Sequence, residues 1–152
     1  MFRWFSVIKA PSAPLTTPAR DALISELRRH VNAIMNAMPF DIRRAHDHAT
    51  LGFITAVRLM ADERVKDSYA KYCRVGSKLL ARQIKENTGI DFTFTCDAMV
   101  DLETARDVYM QWIFRKPRNA AYFAMLMLDA FLTSAYGTIE EKTAPRESGG
   151  TT

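Results

Sequence analysis

Apolar residues recur every three or four positions along most of the chain, in runs bounded by prolines, glycines or capping residues. That is the period of helices with one buried face. "TTPAR" offers Thr16 or Thr17 as an N-cap, with Pro18 in the first turn. Leu23, Ile24, Leu27, Val31, Ile34, Met35 and Met38 then share a face, and Pro39 ends this first predicted helix. A second helix is predicted from Asp41 to Met60, on Ile42, Ala45, Ala49, Phe53, Ala56, Val57 and Met60. Leu51, Ile54 and Leu59 widen its apolar face in the second half.

A third helix starts at the N-cap candidate Asp62 and runs to about Glu86, with Gly89 as its left-handed stop. Val65, Tyr69, Tyr72, Cys73, Gly76, Leu79, Leu80 and Ile84 are its expected inner face. In "IDFTFTCD", Ile90, Phe92 and Phe94 alternate with polar residues, which predicts a strand-like connector or one short edge strand over 90–96.

A fourth helix begins near Asp97 or Asp101 and ends around Lys116, with acids at its start and Arg115 and Lys116 at its end, as a helix dipole favours. The fifth, Pro117 to Tyr136, is apolar nearly all round and reads as the central helix, stopped by Gly137. Its Asp129 interrupts the long apolar stretch that a bilayer span would need, so a core helix is the expectation over a membrane span.

These elements make a single all-α domain, a bundle of about five helices over 16–142. An apolar arm and proline linker (1–15) precede it, and 143–152 reads as a disordered tail. Phe2, Trp4, Phe5, Val7 and Ile8 make the arm costly to leave in water. It can fold back on its own domain or dock on a second subunit as a self-association element. Arg3 and Lys9 would suit anionic lipid, but the segment is short for a membrane interface.

Composition adds little to this picture. The net charge of +4 is mild, so the distribution of charge has to carry any argument about anionic partners. Two cysteines, Cys73 and Cys96, make no disulfide framework or metal spacing. Reduced, partly buried thiols and the lack of a secretory pattern suit a cytoplasmic or intracellular setting.

Candidate chemistry is sparse. His46, Asp47 and His48 are potential metal ligands. On a helix, however, the two histidines point about 200° apart, so a hydrogen-bonded core histidine at 46 is expected instead of a metal site. Asp129 offers a buried carboxylate, as a general acid or base, as an ion-pair partner of a neighbouring Arg or His such as His46, or on a narrow solvent strip with Thr133. No nucleophile–His motif, P-loop or GxGxxG is present. A non-enzymatic protein without cofactor or metal is therefore expected.

The third helix carries the clearest pattern. Arg64, Lys71, Arg74, Lys78, Arg82 and Lys85 fall within about 80° on a helical wheel over about 30 Å of rise, with Asp67 as the interruption. Such a row repels itself and suits a polyanion. Arg115, Lys116 and Arg118 form a second basic cluster at a helix junction, beside Trp112 and Phe114, and Arg28, Arg29 and His30 form a third. Two functions follow. One is an assembly protein that self-associates and holds an RNA or DNA backbone without reading sequence. The other is an adaptor, inhibitor or regulator that binds protein through its arm or its eight methionines.

Overall fold

A computed structural model describes residues 15–150, with side chains placed to Ile139. The apolar arm, with Phe2, Trp4, Phe5, Val7 and Ile8, lies outside the described residues. Among the described residues five helices form: α1 (Thr17–Ala37), α2 (Ile42–Leu59), α3 (Glu63–Thr88), α4 (Ala98–Trp112) and α5 (Pro117–Gly150). The all-α architecture read from the sequence is the one observed.

Local chemistry sets the boundaries. Thr16 caps α1 by accepting from the Ala19 N–H at 3.2 Å, and Asp41, Asp62 and Asp97 do the same for α2, α3 and α4. Each satisfies N–H groups that have no partner within their own helix. Gly89 ends α3 at φ 76°, the left-handed cap its lack of Cβ permits.

The 90–96 segment is the expected strand-like connector: it is extended and pairs with no strand among the described residues. Instead it lies against the bundle through Ile90 and Phe92, and Phe92 meets Phe123 at 5.8 Å between ring centroids. Three expectations need correction. α4 ends at Trp112, short of Lys116, and a tight turn precedes Pro117. α5 runs on through Gly137 to Gly150, so the helix also covers most of the expected tail. Gly137 is there for space: a Cβ would stand 2.5 Å from the Ser68 hydroxyl. Finally, Met35, Leu51 and Leu79, expected inside, are exposed.

Helix directions follow from cross-contacts. Glu26 and Thr55 meet low on α1 and α2, and His30 and His48 higher up, so these helices form an antiparallel hairpin. Arg64 at the start of α3 reaches the Leu15 carbonyl at the start of α1. Ser68, early in α3, donates to the Ser134 carbonyl late in α5 at 2.6 Å, and Asn119, early in α5, donates to the Thr88 carbonyl at the end of α3 at 2.9 Å. α5 is therefore antiparallel to α3 and packs against all four other helices. Its buried Ala120, Ala121, Ala124 and Ala135 let neighbours approach closely, while Phe123, Met127, Leu128 and Phe131 fill the centre. Pro117–Ile139 is long and apolar enough to cross a membrane, and much of its surface is buried by this packing.

Asp101 locks the connector to the bundle. Fully buried, it accepts from the Tyr69 hydroxyl (2.7 Å), the Thr95 N–H (2.9 Å) and hydroxyl (2.6 Å), and the Cys96 N–H (3.1 Å). A buried carboxylate is tolerable because its lone pairs are filled. The network holds Cys96 at φ 67°, a left-handed backbone that L-residues seldom adopt.

Candidate nucleic-acid interface

α3 is one unbroken helix of 26 residues. Val65, Tyr69, Cys73, Leu80 and Ile84 are buried on its inner side. Arg64, Lys71, Arg74, Lys78, Arg82 and Lys85 are all exposed on the other.

The two ends of the stripe have structural duties. Arg64 pairs with the buried Asp62 at 2.7 Å and also donates to Thr17 Oγ1 and the Leu15 carbonyl, both at 3.2 Å. It clamps the start of α3 to the start of α1. Burial works against the Asp62 charge, but the hydrogen bonds and the charge of Arg64 outweigh it and hold the carboxyl below its ordinary pKa. Lys85 pairs with Asp91 at 3.1 Å and approaches the Gly89 carbonyl at 3.4 Å. Between these ends, Arg74, Lys78 and Arg82 form no ion pair among the described residues. Residues at this spacing have Cβ atoms about 6 Å apart, so the three cations crowd one stretch of the helix and repel one another.

Two features adjoin this central trio. Lys78 borders a hollow of about 300 Å³ between α3 and the connector, walled by Ser77, Ala81, Thr93 and the edge-on pair Phe92 and Phe94. Val75 (91% exposed) and Leu79 also stand on the outer face, among the cations.

The basic junction lies at the C-terminal end of the same helix. The Asn119–Thr88 hydrogen bond brings the start of α5, and with it Arg115, Lys116 and Arg118, to the end of α3. All three cations are exposed. Arg115 sits 5.5 Å from the centre of the half-buried Trp112 ring, a cation–π distance. Phe114, missed as an exposed aromatic in the sequence, is 85% exposed beside them. The fold thus brings the second basic cluster to the end of the helix that carries the first. The third divides: Arg28 and Arg29 are exposed on α1, while His30 turns inward to His48.

The other candidates have structural partners. His46 Nδ1 lies 2.6 Å from the Tyr109 hydroxyl, so His46 pairs with α4 and not with Asp129. Its Nε2 is buried with no partner in hydrogen-bonding geometry among the described residues. Burial lowers its pKa, against smaller opposing effects from the Pro117 backbone and Asp47. His48 faces the opposite way, to His30. Asp129 is exposed with Thr133, on the solvent strip, and the apolar helix around its carboxyl raises its pKa. Cys73 and Cys96 are free thiols, and burial pushes Cys73 up to about 12. Among the described residues, no three His, Cys, Asp or Glu side chains are grouped to hold a metal ion.

No protein-family model, curated protein or solved structure matches this chain.

Proposed function

We propose that this protein is a non-enzymatic binding subunit that holds the phosphate backbone of RNA or DNA along α3, continuing onto the α4–α5 junction. The observation that carries the reading is the central trio Arg74, Lys78 and Arg82, exposed on one continuous helix without an ion pair among the described residues. Phosphates would relieve their mutual repulsion and release counterions. The hollow beside Lys78, walled by Phe94, and the exposed Phe114 beside Arg115 give bases apolar surfaces to lie against. Such contacts tolerate any sequence. Self-association through Phe2, Trp4, Phe5, Val7 and Ile8 belongs to the same reading, and light scattering on a chain lacking residues 1–9 tests it through a drop in mass.

The experiment is anisotropy of a labelled single-stranded oligonucleotide at low salt, with wild type and Arg74→Glu/Lys78→Glu/Arg82→Glu. Reversal should weaken binding by at least about tenfold while the circular dichroism of the helices is unchanged. Val75 and Leu79 favour a second reading, a protein-binding adaptor, because a phosphate backbone has no use for apolar side chains among the cations. Oligonucleotide binding that is absent in wild type, with Val75→Ser/Leu79→Ser abolishing capture of a protein partner, would move the assignment there.

A further inference from the structure

A groove of about 480 Å³ runs along the outer side of α1, and no α3 residue lines it. Arg28, Arg29, Asn32, Asn36 and Ser25 line it from α1, and Arg44 closes it from the start of α2. Helical spacing explains the α1 set: 25, 28, 29, 32 and 36 lie on one face, opposite the buried Leu27, Val31 and Ile34. Asp41 fixes Arg44 by accepting its backbone N–H at 3.1 Å, so the guanidinium is carried on the first turn of a capped helix.

The lining is one-sided chemistry. Three arginines line it with two carboxamides, a hydroxyl and the Ala33 methyl, and no carboxylate belongs to the wall. Glu26 is nearest in sequence, but its carboxylate accepts from Thr55 at 2.8 Å and stands 3.8 Å from Arg29. Arg28 and Arg44 form no ion pair among the described residues. Guanidinium groups match oxyanions through forked N–H pairs, and carboxamides and hydroxyls add neutral donors. No aromatic side chain lines the groove, so it has no stacking platform for a base.

We infer that this groove is a binding site for phosphoryl oxygens, sized for a short polyphosphate chain, and separate from the polymer track proposed for α3. The same chemistry would serve a free polyphosphate or the phosphates of a nucleic acid crossing this face.

Calorimetric titration of the full chain with sodium tripolyphosphate at low salt tests the site, with Arg28→Gln/Arg44→Gln as the variant. Glutamine keeps length and helix propensity, and circular dichroism checks the fold. The variant should bind about tenfold more weakly or worse. The oligonucleotide assay on the same variant then distinguishes the source. Unchanged oligonucleotide affinity assigns the groove to a free polyphosphate, and a parallel loss assigns it to the phosphates of the polymer. The Arg74→Glu/Lys78→Glu/Arg82→Glu variant should retain tripolyphosphate binding even if the α3 proposal fails. No heat from wild type, or equal affinity in the groove variant, overturns the inference.

Discussion

His30 Nδ1 and His48 Nδ1 face each other at 3.0 Å across α1 and α2. Two imidazole nitrogens at that distance share a single proton: one ring donates and the other accepts. A second proton would put two donors and two charges face to face. His30 is buried, and burial first, then the charge of His48 and a smaller effect of Arg29, lower its pKa, against a smaller opposing effect of Glu26. His46, bonded to Tyr109, is lowered by its own burial.

Both lowered histidines set one direction for pH dependence. The unfolded chain takes up protons near the ordinary histidine pKa of about 6.5, while the folded chain resists. Stability is therefore full above that value and falls as pH drops below it toward the folded pKa values. Thermal melts from pH 7.5 to 5.5, about one unit either side of that midpoint, should show a falling Tm. His48→Gln should fall less over the same range, because the facing charge is gone. A melt independent of pH in wild type would contradict the shared-proton pair.

Gly137 is predicted to resist replacement. Alanine would normally favour a helix by about 1 kcal/mol over glycine. Here its Cβ would meet Ser68 Oγ at 2.5 Å and disturb the Ser68–Ser134 hydrogen bond. Gly137→Ala should destabilise by about 1–2 kcal/mol net in urea unfolding. Ser68→Ala in the same chain should recover most of that loss, since it removes the colliding atom.

Asp101→Ala should cost about 1–3 kcal/mol, because it leaves the buried Tyr69 hydroxyl without an acceptor and frees the half-exposed donors of Thr95 and Cys96. Hydrogen exchange localises the effect: the amides of Thr95 and Cys96, which donate to Asp101, should lose protection ahead of those in α5.

The sequence made the helices legible because caps and period agree. Thr16, Asp62 and Gly89 sit where their side chains or conformations stop and start helices, and the structure uses each that way. Leu79 was misread because a helical wheel cannot say which neighbour covers a flank. α5 packs on the Tyr69–Cys73–Leu80 side of α3, while Val75 and Leu79 stay exposed on the other. Gly137 has the look of a stop because glycine ends helices when chain geometry decides, whereas here a neighbouring hydroxyl decides. The α3 stripe was visible in full, but not that Arg64 and Lys85 would be tied to Asp62 and Asp91. That the junction carrying Arg115, Lys116 and Arg118 lies at the end of α3 depends on the Asn119–Thr88 bond, between residues 31 positions apart, which no local pattern announces. The α1 groove needed Arg44 from another helix, and the pairing of His30 with His48 needed the hairpin.

The central account is that Arg74, Lys78 and Arg82 bind phosphates in solution. The most direct measurement is the slope of log affinity for a single-stranded oligonucleotide against log salt, for wild type and the triple charge-reversal variant. Each phosphate neutralised on a single strand contributes about −0.7 to that slope, so losing three contacts should flatten it by about 2. A wild type that does not bind at low salt, or a variant whose slope equals that of wild type, contradicts the account.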